Sequence, residues 1–231
     1  MRADVLHGDC LDVMRTMPDA SIDAVVTDPP YGLDFKYTSG ADVAKTPAAY
    51  GAWLGEVLPQ IERLLRPGGA LVCWQSGTYW RYLWDWFGAD ICVLSHAKNF
   101  VQLRKTPVNR ACDPIVVRYK AGAPPSRNAK PPRNVDFFVS NTAAIVSKKD
   151  RPERAHPCPR PLDAVEWVLQ NFVGPEGGLI LDPFTGSGTT GGAALNEGFR
   201  FIGIEREAEY VEIARRRIAN VAPLFAEGGA A

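Results

Sequence analysis

The sequence predicts an α/β fold in which helices cover a mainly parallel, doubly wound sheet. Two observations predict it. Short apolar runs that suit buried strands alternate along the chain with longer segments whose apolar residues recur at helical spacing. The chain of 231 residues is 46% hydrophobic and 23% charged, which is typical of a soluble globular domain with a sizeable core. In a sheet of this kind, ligands bind at the carboxyl ends of the strands.

The first half of the chain supplies most of the predicted elements. Pro47 occupies a typical first helical position, and the Arg-Pro-Gly-Gly run at 66–69 is expected to end that helix. Residues 33–46 are polar and lack periodicity, so the sequence predicts a loop there. The expected strands are 5–7, 22–27, 70–74, 91–94 and 113–119, and the expected helices are 11–17, 47–65 and 79–87.

The middle of the chain has a different composition. Between residues 121 and 161, prolines and basic residues are frequent, and Val135–Val139 is a short apolar island. We interpret this part as a loop-rich insert with weak structure of its own. Beyond it the alternation returns. The expected elements are a helix at 162–172, a strand at 179–181, a glycine-rich turn at 182–190 with a helix after it, a strand at 201–204 and a helix at 210–219.

Charge is distributed unevenly, although the formal net charge of the chain is zero. Residues 96–160 contain 14 Lys or Arg and 4 Asp or Glu, which leaves 12 basic and 22 acidic residues for the rest of the chain. A basic middle on an acidic body predicts a face that binds a polyanion.

The composition argues against several other classes of protein. No apolar run approaches the roughly 18 residues that a membrane span needs. The first residues do not resemble a secretion signal, so we expect a cytoplasmic protein. The 5 cysteines are widely spaced without a Cys-x-x-Cys pair, and the chain has 3 histidines. This pattern argues against a disulfide framework and against a metal site.

Two stretches at predicted strand ends carry candidate chemistry, and the first is Thr-Asp-Pro-Pro-Tyr-Gly at 27–32. Pro29 and Pro30 stop the strand abruptly and continue it as a stiff arm. The arm holds the carboxylate of Asp28, the carbonyl of Pro29 and the ring of Tyr31 close together. Two acceptors and an aromatic face suit a flat group that bears an NH₂. A plain strand-to-loop turn is the alternative.

The second stretch, Asp182–Gly191, contains Gly-x-Gly-x-x-Gly between a predicted strand and a predicted helix, and Glu205 lies at the tip of the next strand. The glycines permit a tight turn close to a ligand, and the acid suits ribose hydroxyls. NAD and S-adenosylmethionine both fit this pattern. Asp182 favours S-adenosylmethionine, because a carboxylate before the turn repels a pyrophosphate and attracts a cationic amino group.

Three motifs together resemble those of the amino-methylating DNA methyltransferases. They are Asp-Pro-Pro-Tyr at 28–31, His-Pro-Cys-Pro-Arg-Pro at 156–161 and Asp-Pro-Phe-Thr-Gly-Ser-Gly-Thr-Thr at 182–190. Their order, with a basic insert after the first motif, resembles the β arrangement of that family. The chain departs from the family pattern in two places: the family usually has Gln-Lys where Pro159-Arg160 stand and Trp-x-Lys where His96-Ala97-Lys98 stand.

The resemblance implies a Rossmann-like methyltransferase fold, with a mainly parallel seven-stranded sheet, one antiparallel strand and a circularly permuted motif order. It divides the chain into a catalytic half at 1–120, a small basic insert for target recognition at 121–155 and a cofactor-binding half at 156–231. It also implies S-adenosylmethionine as the cofactor and double-stranded DNA as the substrate. A homodimer and a partner restriction endonuclease are compatible with it.

The same resemblance assigns roles to individual residues. Asp28, Pro29, Pro30 and Tyr31 form the catalytic motif, in which the acceptors bind the amine of a flipped base that stacks on the tyrosine. The implied cofactor-binding residues are Asp9, Cys10, Thr27, Asp28, His156, Pro161, Asp182, Pro183, Phe184, Thr185, Gly186, Ser187, Gly188, Thr189, Thr190, Glu205 and Arg206. The basic residues expected to contact DNA are Lys98, Arg104, Lys105, Arg127, Lys130, Arg133, Lys148 and Lys149.

Adenine N6 is the favoured target, because the resemblance associates Asp at the first motif position with adenine and Ser with cytosine N4. Cytosine N4 is the alternative target. Two further alternatives are an NAD-dependent oxidoreductase, which rests on the glycine pattern alone, and a catalytically inert DNA-binding relative. The oxidoreductase leaves Asp-Pro-Pro-Tyr and the basic insert unexplained, and intact Asp28, Tyr31 and the glycine-rich turn argue against the inert relative.

Overall fold

The computed structural model describes residues 3–31, 46–77, 79–98, 109, 111–122, 135–140 and 160–221. Within these residues, eight strands form one sheet. The strands are β1 (Ala3–His7), β2 (Ile22–Thr27), β3 (Leu65–Trp74), β4 (Ile91–Lys98), β5 (Cys112–Tyr119), β6 (Phe137–Ser140), β7 (Leu179–Asp182) and β8 (Arg200–Glu205). The α-helices are α1 (Cys10–Thr16), α2 (Pro47–Leu64), α3 (Arg81–Phe87), α4 (Leu162–Phe172), α5 (Thr189–Asn196) and α6 (Ala208–Val221).

The sheet has the strand order β1-β8-β7-β2-β3-β5-β4-β6. β5 runs antiparallel to both of its neighbours, and all other neighbouring strands are parallel. The predicted α/β fold with a mainly parallel sheet and one antiparallel strand is therefore confirmed. The sheet has eight strands rather than the seven expected, because the apolar island of the insert forms β6 and pairs with β4 at the sheet edge.

The C-terminal part of the chain lies between N-terminal strands in the sheet. β7 pairs with β2, and β8 pairs with both β1 and β7. Strands that are far apart in sequence therefore end side by side. Because β1, β8, β7 and β2 are parallel, their carboxyl ends share one edge of the sheet, which is where an α/β sheet binds its ligands.

α2 begins where the sequence predicts. The hydroxyl of Thr46 accepts a hydrogen bond from a backbone N–H of the first turn (3.2 Å), and Pro47 occupies a position where an N–H has no helical partner. β3 begins earlier than predicted, at Leu65 instead of residue 70. The Arg-Pro-Gly-Gly run at 66–69 lies in an irregularity opposite β2, where the pairing register shifts.

Apolar side chains pack on both faces of the sheet. Ala24 and Val26 of β2 belong to the cluster under α4, α5 and α6, whereas Val25 between them belongs to the cluster under α1, α2 and α3. This alternation is the expected result of successive strand residues pointing to opposite faces. In the described part of the chain, no helix has both the length and the apolar character that crossing a bilayer requires.

Candidate active site

Four acidic residues lie at the carboxyl ends of four adjacent parallel strands. Asp9 follows β1, Asp28 follows β2, Asp182 is the last residue of β7 and Glu205 is the last residue of β8. These strands are adjacent in the sheet, in the order β1, β8, β7 and β2. The sequence predicts acids at strand ends, and the sheet order places these four at one edge.

The turn between β7 and α5 is tight and is supported from outside by α6. Gly186 and Gly188 have φ of +52° and +81°, in the left-handed region that favours glycine. A Cβ on Gly188 would lie 2.9 Å from the Cα of Ala214, so α6 packs directly against the turn. Arg217 of α6 donates a hydrogen bond to the hydroxyl of Thr189 (2.7 Å). These contacts hold the turn in one shape.

Glu205 contacts this turn through its carboxylate. One oxygen accepts a hydrogen bond from the Gly186 N–H (2.8 Å), and the other accepts one from the Glu207 N–H (2.8 Å). Burial raises the pKa of Glu205, and hydrogen bonds from backbone N–H groups oppose the rise. A carboxylate has about four acceptor positions, so Glu205 retains acceptor capacity for a ribose hydroxyl.

Asp182 is buried beneath the turn. Its Oδ1 accepts hydrogen bonds from the hydroxyl of Thr27 (2.7 Å) and from the N–H of Phe184 (3.1 Å). Burial raises the pKa of Asp182 to about 6, against the lowering effect of hydrogen bonds from Thr190 and Thr27. The sequence predicts that this carboxylate attracts a cationic amino group of the cofactor, and that role stays a prediction. In the structure it connects the turn after β7 to the end of β2.

The residues that follow β1 lie beside the end of β8, at the same edge of the sheet. Asp9 caps α1, since its Oδ1 accepts a hydrogen bond from the Leu11 N–H (2.9 Å). Cys10 is the first residue of α1, and burial raises the pKa of its thiol to about 12, so the thiol stays protonated. Arg206 is exposed, and its carbonyl oxygen lies 3.0 Å from Nε2 of His7.

The predicted catalytic motif directly follows β2. Pro29 is buried, and Asp28, Pro30 and Tyr31 are partly buried. The hydroxyl of Tyr31 donates a hydrogen bond to Oδ1 of Asp28, and the tyrosine ring packs against the apolar cluster under α1, α2 and α3. The short connection to Asp182 through Thr27 brings this motif next to the glycine-rich turn.

Arg160 is a site residue that sequence reasoning did not assign. Its Nε donates to Oδ2 of Asp28 (2.5 Å), and its Nη2 donates to Oδ1 of Asp28 (2.9 Å) and to the hydroxyl of Tyr31 (2.9 Å). Its Nη1 donates to Oδ2 of Asp113 (2.6 Å), whose other oxygen accepts from Nζ of Lys98 (2.8 Å). The available signal was its place in the His-Pro-Cys-Pro-Arg-Pro motif, where the family usually has lysine.

The family to which this chain belongs follows from comparison with known proteins. The family model N6_N4_Mtase, described as DNA methylase, matches residues 22–216. The chain belongs to this DNA methylase family. The methylase is 27% identical over 251 residues to the DNA adenine methyltransferase YhdJ of Escherichia coli (strain K12), and the alignment covers 93% of this chain and 82% of YhdJ.

Solved structures of methyltransferases share the fold of this methylase. The M1.HpyAVI–SAM complex superposes with a TM-score of 0.68 at 22% identity, over 94% of this chain and 98% of that chain. PvuII DNA methyltransferase, which is cytosine-N4-specific, superposes with a TM-score of 0.72 at 19% identity, over 100% of this chain and 89% of that chain. These similarities establish the fold.

The comparisons confirm the predicted family, enzyme class and cofactor. The chain is a DNA methyltransferase of the N6/N4 family, and this family uses S-adenosylmethionine. Membership is incompatible with the NAD-dependent oxidoreductase alternative. The comparisons leave the choice between adenine and cytosine to other evidence.

Further predicted cofactor residues of the methylase continue the turn after Asp182. Pro183 is buried, and the ring of Phe184 packs against the ring of Trp53, with 5.4 Å between their centroids. The hydroxyl of Thr185 donates to the carbonyl of Asp182 (3.1 Å). These residues fold back on the turn and on α2.

The remaining predicted residues are distributed differently. Pro161 directly precedes α4, and Lys98 is the last residue of β4, where it pairs with Asp113. Other members of the predicted set lie outside the described residues, and their roles stay predictions. They are His156, Arg104, Lys105, Arg127, Lys130, Arg133, Lys148 and Lys149.

Proposed function

We propose that this methylase transfers a methyl group to N6 of an adenine that is flipped out of double-stranded DNA. The juxtaposition of the catalytic motif with the glycine-rich turn carries the proposal. Thr27 and Asp182 are joined by a hydrogen bond of 2.7 Å, and each directly adjoins one of the two motifs. An amine held by Asp28 therefore lies beside a ligand held by the turn.

The residues at this edge of the sheet fit S-adenosylmethionine. The carboxylate of Glu205 retains acceptor positions for ribose hydroxyls, and the turn is preformed by Gly186 and Gly188. Asp9 lies at the end of β1, next to β8, on the side that we assign to the cofactor adenine. When bound, the cofactor supplies an electrophilic methyl group on a sulfonium. Asp182 acts indirectly, by fixing the turn against β2.

The catalytic motif serves to prepare the amine. The lone pair of an exocyclic amine is delocalised into the base, so the amine is a poor nucleophile. Acceptance of its two hydrogens by the carboxylate of Asp28 and the carbonyl of Pro29 favours a pyramidal nitrogen with a localised lone pair. Positioning and local electrostatics then supply much of the rate. Base flipping is required, because the amine is not reachable inside a duplex.

Two observations favour adenine over cytosine. The first residue of the catalytic motif is Asp28, which the family resemblance associates with adenine N6. YhdJ, which is similar over 93% of this chain, is named a DNA adenine methyltransferase. The fold does not distinguish the two targets, since the cytosine-N4-specific PvuII enzyme superposes as well.

The basic part of the chain, residues 96–160, is proposed to bind the DNA backbone. Its excess of Lys and Arg suits phosphate contacts, and the insert at 121–155 is proposed to read the target sequence. We further propose a cytoplasmic location, where DNA and cofactor are both available. Pairing with a restriction endonuclease and dimer formation remain predictions from the resemblance.

Sequencing of modified bases in DNA tests the proposed function. DNA from cells that express the wild-type chain should contain N6-methyladenine at one sequence motif, and DNA from cells with Asp28→Ala should contain none. Asp12→Ala, which removes an exposed carboxylate on α1, is the matched control and should methylate normally. The purified Asp28→Ala protein should bind S-adenosylmethionine within a few-fold of wild type in calorimetry.

Three outcomes would contradict the proposal. N4-methylcytosine in place of N6-methyladenine would show that the target base is wrong. Methylation by Asp28→Ala together with lost cofactor binding would show that the role of Asp28 is wrong. Unmodified DNA with the wild-type chain, at verified expression and cofactor binding, would overturn the proposed activity.

A further inference from the structure

The amine-binding carboxylate of the proposed mechanism is already occupied in this structure. Arg160 contacts both oxygens of Asp28, and the Tyr31 hydroxyl contacts one of them. The side chain of Arg160 is 17% exposed and that of Asp28 is 28% exposed, so the pair is largely shielded from water. A base amine that enters this site meets a carboxylate with few acceptor positions left.

The group that occupies the site resembles the group proposed to replace it. A guanidinium is planar, and it presents N–H groups side by side to a carboxylate in bidentate geometry. The amine of a nucleobase likewise presents N–H groups in the plane of a flat, delocalised system. The guanidinium of Arg160 also lies 5.9 Å from the ring of Trp74. Arg160 and the target amine are therefore competitors for Asp28.

A second carboxylate gives Arg160 another partner. Nη1 of Arg160 already donates to Asp113 (2.6 Å), which also accepts a hydrogen bond from Lys98 (2.8 Å). Burial acts to raise the pKa of Asp113, but the charges of Arg160 and Lys98 outweigh it, and the net pKa is lowered. Asp113 is therefore ionised at neutral pH. Arg160 can leave Asp28 without losing its ion pair with a carboxylate.

We propose that Arg160 is a positioning residue that holds the place of the target amine on Asp28 until the flipped base displaces it onto Asp113. The inference rests on the proposed function and deepens it. In the free chain, Arg160 keeps the carboxylate paired and oriented. When the base enters, Asp113 retains the guanidinium beside the site, and Asp28 receives the amine.

The proposal predicts that substitutions of Arg160 and of Asp113 have effects of opposite sign on the affinity for the flipped base. Arg160→Gln removes the competitor, so the base finds a free carboxylate. Asp113→Asn weakens the alternative partner, so Arg160 stays on Asp28 more of the time. Because apparent affinity scales with the fraction of protein that is competent to bind, the first change should tighten binding and the second should weaken it.

The general effect of charge on DNA binding predicts the opposite change in affinity for each variant. Loss of a positive charge normally weakens DNA binding, and loss of a negative charge normally strengthens it. A purely structural role would also weaken binding in both variants. The signs therefore separate the proposal from both alternatives.

The experiment uses the full chain and a duplex of its recognition sequence in which the target adenine is kept and 2-aminopurine replaces an adjacent base, where its fluorescence rises when the target base leaves the stack. Fluorescence titration at fixed salt measures the apparent Kd for the state in which the base is flipped. We expect Arg160→Gln to lower this Kd about threefold or more and Asp113→Asn to raise it by a similar factor. Arg15→Gln, an exposed arginine on α1, is the matched control and should leave the Kd unchanged. The double variant Arg160→Gln/Asp113→Asn removes both charges together and should resemble Arg160→Gln.

Each result either supports or overturns the inference. An unchanged or higher Kd in Arg160→Gln, with normal cofactor binding and thermal stability, overturns the inference. Arg160→Gln leaves the carboxylates of Asp28 and Asp113 to repel each other and could prevent folding. In that case the Kd values of the double variant and of Asp113→Asn test the inference. Failure of the proposed function is recognised separately, because the wild-type chain would then leave its duplex unmethylated and produce no fluorescence change.

Discussion

At the scale of single residues, Tyr31 joins the chemistry of the site to its packing. Its hydroxyl donates to Asp28 and accepts from Arg160 (2.9 Å), while its ring packs against the apolar cluster under α1, α2 and α3. Burial and the negative charge of Asp28 raise the pKa of Tyr31 well above its ordinary value, so the hydroxyl remains a donor. The residue therefore contributes a hydrogen-bonding group and an aromatic face separately.

Substitutions of Tyr31 separate these two contributions. Tyr31→Ala should reduce kcat/KM more than Tyr31→Phe, because a stacked base is stabilised by roughly 1–3 kcal/mol on an aromatic face. Tyr31→Phe keeps the ring and loses two hydrogen bonds, so a smaller reduction is expected. Single-turnover methylation of a cognate duplex measures both. Equal losses in the two variants would show that the hydroxyl, not the ring, is the functional group.

At the scale of elements, the turn between β7 and α5 depends on its contact with α6. Arg217 donates from α6 to the side chains of Ser187 (3.0 Å) and Thr189 (2.7 Å). Burial lowers the pKa of Arg217. Gly188 lies against Ala214 of the same helix, at a distance that leaves no room for a Cβ. The helix thus fixes the shape of the proposed cofactor turn.

The substitution Gly188→Ala tests this contact. It adds a Cβ 2.9 Å from the Cα of Ala214 and places alanine at a φ of +81°. Strain and overpacking together should lower the free energy of unfolding by roughly 2–4 kcal/mol and weaken S-adenosylmethionine binding. Gly177→Ala is the matched control, since its φ is +84° and no atom lies within 4 Å of the added Cβ.

Chemical denaturation and calorimetry measure the two quantities. Gly177→Ala should cost only the backbone strain, roughly 1–2 kcal/mol, with unchanged cofactor affinity. If both variants lost the same stability and both bound the cofactor normally, the contact with α6 would have no part in shaping the turn.

At the scale of the whole molecule, a buried network of side-chain hydrogen bonds joins elements from distant parts of the sequence. Nε1 of Trp74 on β3 donates to Nδ1 of His96 on β4 (3.4 Å), and Nε2 of His96 lies 2.5 Å from the hydroxyl of Ser140 on β6. That hydroxyl donates to Asp163 on α4 (3.4 Å). Every hydrogen bond of this network has a donor and an acceptor when His96 is neutral and carries its proton on Nε2. The network connects the insert to the main sheet.

The neutral state of His96 predicts a dependence of stability on pH. Burial, together with the charge of Arg160, lowers the pKa of His96 to about 4 from an ordinary value of 6.5. The unfolded chain therefore binds a proton at this residue at higher pH than the folded chain does. The contribution of neutral His96 is complete above pH 6.5 and is lost as the pH falls to about 4, by roughly 3 kcal/mol.

Denaturation at a series of pH values measures this dependence. The free energy of unfolding of the wild-type chain should lose about 3 kcal/mol more between pH 7 and pH 4 than that of His96→Gln. His7→Gln, at an exposed histidine, is the control and should keep the wild-type slope. A parallel slope in His96→Gln would mean that His96 titrates normally in the folded chain.

Most of the elements and the two main motifs could be predicted from the sequence, because their signals are local. Apolar periodicity indicates strands and helices, and Asp28-Pro29-Pro30-Tyr31 and the glycine-rich turn have the backbone chemistry of abrupt strand ends. The strand β6 was missed as a sheet member, since four residues in a proline-rich region give too short a pattern to reveal a pairing partner.

What the sequence by itself determined is the α/β class, the family motifs and the residue types at strand ends. The tertiary structure alone decided which strand ends are neighbours, and hence that Thr27 meets Asp182 across 155 positions of sequence and that Arg160 meets Asp28 across 132. The physical reason is that turn chemistry and periodicity act between nearby residues, whereas strand order is set by burial and pairing across the whole sheet. The contact of Arg160 with the carboxylate of Asp28 is therefore seen only in the tertiary structure.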